Sequence, residues 1–239
     1  MTGLDVLYCD NHLLVVCKPA GMPTVPDASA DECLLDRARK WVAREFAKPG
    51  NVFLGVVHRL DRPVSGLVVL ARTSKSAARL SAQWRERSIE KVYLGVGAGD
   101  PPSQAGETEE HLLKDERNNV VSSVEAGRSG ALSARTRWRV LERRHGRTLY
   151  EFQPLTGRPH QLRSCARSLG TPLFGDVKYG AGELLPDRSI ALHAVRLALA
   201  HPTREERLVF ACPPPRESTW EFEHLRSWSA LPVSRTSSR

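Results

Sequence analysis

The sequence predicts a single α+β domain in which helices flank a mixed, largely antiparallel β-sheet. Several segments with a strand pattern follow one another over hairpin-length connections, and a few segments with helical periodicity lie between them. The 239 residues suit one domain, and they contain no internal repeat and no interdomain linker. We therefore expect one domain over residues 1–228. Residues 229–239 lack a hydrophobic pattern and are predicted to form a flexible tail.

Strands are predicted where apolar runs end at Gly or Pro, or where apolar and polar residues alternate. The run GLVVLA at 66–71 is apolar on both faces, so we expect it in the centre of the sheet. Segment 89–96 alternates, and its polar face carries Lys91 and Tyr93. The other predicted strands are 12–18, 54–58, 131–141, 148–154, 190–200 and 207–214.

The predicted strand 131–141 has two different faces. Its apolar face consists of Leu132, Ala134, Trp138 and Val140. The opposite face carries Arg135, Arg137 and Arg139, which we interpret as contacts to the backbone of a polyanion or as a solubilising surface. The preceding segment, 99–130, is polar and interrupted by Gly and Pro, so it is interpreted as a long surface excursion that can hold a hairpin.

Three helices are predicted from apolar residues at helical spacing. The first lies within residues 31–47. The second is capped by Thr73 or Ser74, because a side-chain oxygen at this position can accept a backbone N–H of the first turn. The third has Pro159 in its first turn and extends to Leu169.

The chain is basic. It has 35 Lys and Arg against 27 Asp and Glu, which gives a formal charge of +8 and an isoelectric point of about 9.6. Most of the excess is arginine, whose planar guanidinium suits phosphate. A polyanion is therefore the first partner to consider. A basic, solvated surface explains the same composition, and charge alone does not decide between the two.

Cysteine and histidine spacing gives no sign of a disulfide framework or a metal site. The five cysteines form no CxxC pair, and the eight histidines show no HxxxH or HExxH spacing. Reduced thiols of this kind are typical of the cytosol. No apolar run approaches the roughly 20 residues of a membrane helix, and the N-terminus lacks the pattern of a signal peptide. We therefore expect a cytoplasmic protein that binds neither membrane nor metal.

The segment HRLDRPVSGLVVLA at 58–71 places one carboxylate, Asp61, on a turn before the predicted central strand. The neighbouring Arg59 and Arg62 are expected to favour the ionised carboxylate. Pro63 and Gly66 are expected to fix the turn. An acid on a turn is often only a local cap. Here, however, charges adjoin a segment that must be core, where idle charge is unfavourable. Asp61 is therefore predicted to be a functional anion or nucleophile.

This segment resembles the HRLDxxTSGLLLLA signature of the RluA-type pseudouridine synthases, in which the aspartate is the essential catalytic residue. Four further segments resemble motifs of that family in the same order. They are CKPAGMPTV (17–25), EKVYLGVGAG (90–99), LTGRPHQLRSCARSLGTPLFGDVKYG (155–180) and IALHAVRLALAHP (190–202). The resemblance covers roughly residues 4–215. One such motif is weak evidence, but five in order are specific. They imply the pseudouridine synthase fold.

The resemblance also implies a reaction that needs neither cofactor nor metal. The enzyme breaks the N1–C1′ bond of a uridine, rotates the uracil and rejoins it through C5. Asp61 would act at the junction of sugar and base. Tyr93 would hold the uracil and take the C5 proton, although an ordinary half-buried strand tyrosine is the alternative. Arg163 corresponds to the arginine that pairs with the catalytic aspartate.

The expected partner is structured RNA, either rRNA or tRNA. The resemblance implies that Arg59 enters the RNA stack while the target uridine flips out. Arg62 and Lys91 are further candidates for RNA binding. Arg158 and His160 are placed at the start of a helix, where the backbone dipole favours phosphate. A solvated first turn is the alternative for these two residues.

The sequence departs from the family pattern in places. Val64 stands where threonine is common, and Cys165-Ala166 replaces a region that usually contains histidine, which is expected to affect RNA contacts. Lys18 is expected to be structural or to line the pocket. No S4-type RNA-binding module precedes the first strand, so we expect a short, single-domain member that acts as a monomer.

Parts of the sequence are also compatible with three other functions. GVGAGD at 95–100 mimics the glycine loop of a methyltransferase, but the following DPPSQAG cannot form the helix that such a loop requires. A non-catalytic RNA-binding module would use the same basic face without needing Asp61 and Tyr93 together. A hydrolase with an aspartate nucleophile would need a second group aimed at water, for which His58 is the candidate.

Overall fold

The computed structural model describes residues 3–226 and 234–237. Its fold is α+β, as the sequence predicts. The chain divides into two compact units. Within the described residues, the first unit contains 3–90, 194–213 and 234–237, and the second contains 91–193 and 214–226. The predicted single domain, residues 1–228, thus contributes to both units.

The first unit is built on a sheet whose strands lie in the order β1, β2, β4, β10, β11 and β12. The short strand β3 pairs with the last two residues of β4, Leu70 and Ala71. The strands are β1 (Asp5–Cys9), β2 (Leu13–Lys18), β3 (Gly55–Val56), β4 (Ser65–Ala71), β10 (Leu192–Ala200, of which 194–200 belong here), β11 (Glu206–Ala211) and β12 (Ser234–Ser237). All seven residues of β4 are buried, which confirms the prediction of a central strand.

Two helices pack in the first unit. Helix α1 (Leu34–Glu45) buries Leu34, Ala38 and Val42, and helix α2 (Ser74–Arg85) buries Leu80. The Thr73 hydroxyl accepts the Ser76 N–H at 3.1 Å, so Thr73 is the cap of the second helix. The apolar faces of β2 and β4 and Leu80 of α2 belong to one hydrophobic core.

Gly66, at the start of β4, lies where no other residue fits. Its φ is +118°, a conformation that residues with a side chain rarely adopt. A Cβ atom at this position would also lie 2.5 Å from the backbone nitrogen and oxygen of Ala194 in β10. The close approach of two backbones therefore requires glycine immediately after the turn that carries Asp61.

The second unit has a five-stranded sheet in the order β5, β9, β8, β6 and β7. The strands are β5 (Glu90–Ala98, of which 91–98 belong here), β6 (Ala105–Asp115), β7 (Val120–Val124), β8 (Leu132–Arg144) and β9 (Arg147–Pro154). Tyr93 of β5 lies opposite Phe152 of β9. Helix α3 (Gln161–Ser168) is largely buried in this unit, and α4 (Glu223–Arg226) is a single turn.

The predicted surface excursion at 99–130 is mostly part of this sheet. Strand β6 pairs with β8 over eight residue pairs, from Ala105–Arg139 to Leu112–Leu132, and β6 and β7 form a hairpin. The buried face of β6 includes Glu110, whose carboxylate accepts the Ser164 hydroxyl at 2.9 Å. The prediction of a long surface excursion was therefore wrong, although its hairpin is confirmed.

The outward arginines of β8 are paired within the sheet. Arg135 and Arg137 both bond to Glu107 of β6, and Arg139 makes a bidentate pair with Glu151 of β9 at 2.9 Å. These pairs favour the interpretation of a solvated, charge-balanced face over that of an RNA contact.

Other predictions need smaller corrections. Leu132 is expected to face inward, but it is 49% exposed at the start of β8. Thr136, which the prediction did not include in the inward face, is buried. Pro159 precedes helix α3, whose N-cap is His160. Cys165 and Ala166 are fully buried, and Cys165 lies next to Thr108, so this departure from the family pattern lies in the core; an effect on RNA contacts stays a prediction.

Two predictions concern the chain end and membranes. Of the predicted flexible tail, residues 234–237 form β12 against β11, and 229–233 and 238–239 lie outside the described residues. In the part of the chain that the structure describes, the longest helices have 12 residues, and none is long and apolar enough to cross a membrane.

Candidate active site

Asp61 occupies a tight turn between β3 and β4 in the first unit. The Val64 N–H donates to the Asp61 carbonyl at 3.0 Å, which closes the turn around Arg62 and Pro63. Asp61 is partly exposed, whereas the strand that follows is fully buried. Asp61 is thus only partly covered, and the strand next to it is a rigid base. Arg59, two residues earlier, is exposed.

The segment after β2 holds this turn through backbone hydrogen bonds. The buried Thr24 hydroxyl donates to the Leu60 carbonyl at 2.8 Å and accepts the Leu60 N–H at 3.2 Å. The Gly21 N–H donates to the Arg62 carbonyl at 2.9 Å. The residues on both sides of Asp61 are therefore fixed by a segment about 40 residues earlier in the sequence.

Lys18 lies fully buried at the end of β2 and binds the same turn. Its ammonium donates to the carbonyl oxygens of Pro19 at 2.9 Å, Met22 at 2.7 Å and Arg62 at 3.2 Å. Burial lowers the pKa of Lys18 to about 7, although the nearby negative charge of Asp61 opposes this effect. Lys18 therefore links the end of β2 to the turn through its hydrogen bond to Arg62, and its charge is attracted to that of Asp61.

Arg62 is directed to acidic residues of the first unit. Its guanidinium bonds to Asp31, lies 3.6 Å from Asp27, and donates to the Ser29 hydroxyl at 2.8 Å and to the Gly21 carbonyl at 2.9 Å. Its position suits a residue that holds the loop at 27–31. RNA binding by Arg62 stays a prediction that this geometry does not favour.

His58 has a structural environment. Its Nε2 accepts the Val69 N–H of β4 at 2.9 Å, and its ring stacks on Trp84 with centroids 4.5 Å apart. A ring nitrogen that accepts a backbone N–H is not available to activate a water molecule at that atom. This geometry disfavours the hydrolase interpretation.

Lys91 and Tyr93 lie on β5 in the second unit. Both are partly exposed, while Val92, Leu94 and Val96 are buried, so the predicted alternation is confirmed. The Lys91 ammonium donates to the Thr156 carbonyl at 3.4 Å. Tyr93 lies on the same face of the strand as Lys91.

Arg163 projects from α3 into a buried ion pair. Its Nε donates to Asp176 Oδ2 at 2.7 Å and its Nη2 to Asp176 Oδ1 at 2.6 Å. The side chains are 6% and 1% exposed. Its guanidinium carbon lies 4.8 Å from the centroid of the Tyr179 ring, a cation–π contact. Two donors and one face of the guanidinium are thus held by a single short segment, Asp176–Tyr179.

The two predicted phosphate contacts at the start of α3 are engaged within the second unit. His160 is buried, and its Nδ1 lies 2.8 Å from the Tyr179 hydroxyl. The Arg158 guanidinium donates to the Ser133 carbonyl at 3.0 Å, and its backbone N–H donates to the Gln161 side chain. Arg158 is partly exposed. His160 has a packing role here, and a phosphate contact by either residue stays a prediction.

Comparison with known proteins agrees with the motifs. The family model described as RNA pseudouridylate synthase matches residues 12–168, about two thirds of the chain. This range contains Asp61, Tyr93 and Arg163. The chain belongs to the RNA pseudouridylate synthase family. Enzymes of this family are isomerases that convert uridine to pseudouridine in RNA.

Individual synthases show the same relationship. The chain is 33% identical to an uncharacterised RNA pseudouridine synthase of Synechocystis over 233 residues, which are 93% of this chain and 69% of that one. It is 32% identical to ribosomal large subunit pseudouridine synthase D of Zymomonas mobilis over 232 residues, 93% of this chain and 73% of that one. These similarities confirm the RluA-type resemblance.

The fold is also that of a solved synthase structure. Human RNA pseudouridylate synthase domain containing 4 matches with a TM-score of 0.74 and 26% identity, over 89% of each chain. The pseudouridine synthase fold predicted from the motifs is therefore confirmed.

Three residues of the candidate site were not predicted in their observed roles. Asp176 and Tyr179 belong to the GDVKYG part of a motif that was recognised as a whole, so the signal was present in the sequence. Thr24 lies in CKPAGMPTV, but its bonds to Leu60 span 36 residues of sequence and leave no local pattern.

Proposed function

We propose that this protein isomerises specific uridines of structured rRNA or tRNA to pseudouridine, with Asp61 as the essential catalytic residue. The observation that carries the proposal is the turn at Asp61. The partly exposed Asp61 lies on a turn whose neighbouring backbone carbonyls are held by Lys18 and Thr24, directly before a fully buried strand. Catalytic groups work best when their own support is rigid.

The reaction sets clear demands on the site. The N1–C1′ bond breaks, the uracil turns, and a C5–C1′ bond forms; C5 then loses its proton and N1 gains one. A carboxylate can assist as a nucleophile or by stabilising positive charge at C1′. Asp61 is the proposed carboxylate, and Tyr93 is the proposed residue that holds the uracil and accepts the C5 proton. The family resemblance assigns Arg163 to the support of the catalytic anion.

RNA recognition is proposed to involve Arg59, whose exposed side chain is suited to enter the space that a flipped uridine leaves. Lys91 and Arg158 are proposed as further contacts. The reaction as proposed needs no cofactor or metal, and we expect a cytoplasmic, monomeric enzyme. Because the Zymomonas mobilis relative is named for the large ribosomal subunit, large-subunit rRNA is the first RNA to test.

The central test is the loss of the Asp61 carboxylate. Purified protein is incubated with ribosomal and transfer RNA transcribed with uridine tritiated at C5, and the released tritium is measured. Asp61→Asn and Asp61→Ala are expected to lower release by at least 10³-fold, because an amide or a methyl group supplies neither a nucleophile nor a negative charge. RNA binding should change little, since the side chain is small and lies at one nucleotide.

Asp36→Asn, at a partly exposed aspartate of α1, is the matched control and should keep wild-type turnover. Release at the wild-type rate by Asp61→Asn would remove Asp61 from the mechanism. Tight RNA binding without tritium release from any wild-type reaction would favour the non-catalytic RNA-binding module instead.

A further inference from the structure

The second unit contains a buried acid that the proposed reaction does not use directly. Asp176 is 1% exposed, and each of its carboxylate oxygens accepts a hydrogen bond from Arg163, at 2.7 and 2.6 Å. A carboxylate so enclosed cannot touch RNA. The side chain of Asp176 can therefore act on the reaction through the guanidinium that it binds, that of Arg163.

The backbone around Asp176 is built to hold this geometry. Gly175 has φ of +80°, and a Cβ there would lie 2.3 Å from the Ser189 carbonyl oxygen, so the chain approaches this segment too closely for any other residue. The Asp176 N–H donates to the Leu173 carbonyl at 3.0 Å, and the Tyr179 N–H donates to the Asp176 carbonyl at 2.9 Å. The acid thus has little freedom to move.

The same segment supplies the face on which the guanidinium lies. The Tyr179 oxygen accepts the Val121 N–H of β7 at 2.9 Å, so its own hydrogen is available to His160 Nδ1 at 2.8 Å. Both bonds fix the tyrosine ring under Arg163. The guanidinium is then constrained in its plane by Asp176 and perpendicular to it by Tyr179.

We propose that Asp176 is a positioning residue, which orients Arg163 for its role at the uridine and is supported in this by Tyr179 and His160. This inference rests on the proposed function. Two of the three guanidinium nitrogens, Nε and Nη2, are committed to Asp176. The carboxylate therefore determines the direction of Nη1, the nitrogen outside the pair. A bidentate fork is the arrangement that gives arginine a defined orientation as well as a charge partner.

The test combines Asp176→Asn with Arg163→Lys in single-turnover reactions of the full chain, using transcribed large-subunit rRNA tritiated at uridine C5. An amide presents one NH₂ group to an N–H donor of Arg163, so one side of the fork is lost. We expect at least a tenfold lower rate at saturating RNA and less than a threefold change in RNA affinity. In the Arg163→Lys background, Asp176→Asn should have little additional effect, because the group on which it acts has already lost its planar fork.

Asp187→Asn, an exposed aspartate of the same unit, is the matched control and should leave the rate unchanged. If Asp176→Asn does not fold, Asp176→Glu keeps the charge while displacing the carboxylate, and it should give an intermediate rate with the same dependence on Arg163. Wild-type rates in the Asp176 variants, or equal losses in both Arg163 backgrounds, would overturn the inference alone. An inactive wild-type protein on all RNAs would overturn the proposed function and this inference with it.

Discussion

At the scale of single residues, the turn at Asp61 depends on a lysine with an unusual environment. Lys18 is fully buried, and it donates to three carbonyl oxygens, one of which belongs to Arg62. Burial lowers its pKa from the ordinary 10.5 to about 7. A charge in such a place costs free energy unless the group is neutralised or well bonded. The support of the turn at Asp61 should therefore respond to pH.

The first prediction concerns the free energy of unfolding. Between pH 7 and 10.5 the unfolded chain keeps a proton on Lys18 that the folded chain has lost, so stability from this residue rises with pH. From pH 7.5 to 9, the free energy of unfolding of the wild type should rise by about 2 kcal/mol relative to that of Lys18→Met, at about 1.4 kcal/mol per pH unit.

Urea denaturation of both proteins at the two pH values measures this difference. Lys40→Met serves as the control and should show no such change, because the Lys40 side chain is 69% exposed and its ammonium pairs with Glu32 at the surface. A pH-independent difference for Lys18→Met would mean that the three carbonyl oxygens keep the ammonium protonated in the folded protein.

At the scale of secondary structure, the sequence predicts elements with a local apolar pattern and misses those without one. The run at 66–71 and the alternation at 89–96 give correct strands because burial follows directly from residue type. Strand β6 was missed since its inner face contains Thr108 and Glu110, and its outer Glu107 is neutralised by arginines about 30 residues later. Those partners can be seen only once the strands are paired.

The second prediction concerns the start of β4. Gly66→Ala should lower the free energy of unfolding by more than about 3 kcal/mol, because the substitution combines an unfavourable φ with a Cβ placed 2.5 Å from the Ala194 backbone. Gly50→Ala is the matched control. Its φ of +86° is also positive, but no atom lies within 4 Å of the added Cβ, so the cost should be only about 1–2 kcal/mol.

Thermal unfolding of the two variants separates the two contributions. Each kcal/mol corresponds to roughly 2–4 °C in Tm for a chain of this size. Equal losses in both variants would show that the backbones of β4 and β10 can separate at Gly66 at little cost.

At the scale of the whole molecule, the sequence identifies the family and the catalytic candidate better than it identifies the partners of each charge. Asp61 is recognisable from a contiguous motif. The pairing of Arg62 with Asp31 and of Arg163 with Asp176 spans 31 and 13 residues, and it depends on how loops and helices pack. The formal charge of +8 therefore does not show which arginines can bind a polyanion, because several of them are paired with acidic residues.

The last prediction concerns the salt dependence of RNA binding, which should depend on the arginines that are not already paired with acidic residues. RNA binding should weaken steeply with salt, because each phosphate contact releases a counterion, with a slope of about −0.7 to −0.9 in log–log form per contact. Arg59→Gln should make the slope shallower by about one contact, because the guanidinium of the exposed Arg59, placed in the RNA stack, would also neutralise nearby phosphate charge and release a counterion. Arg137→Gln should leave the slope unchanged, because Arg137 is already paired with Glu107. Filter binding of transcribed large-subunit rRNA at 50–200 mM KCl measures all three proteins, and equal slopes for Arg59→Gln and the wild type would remove Arg59 from the interface.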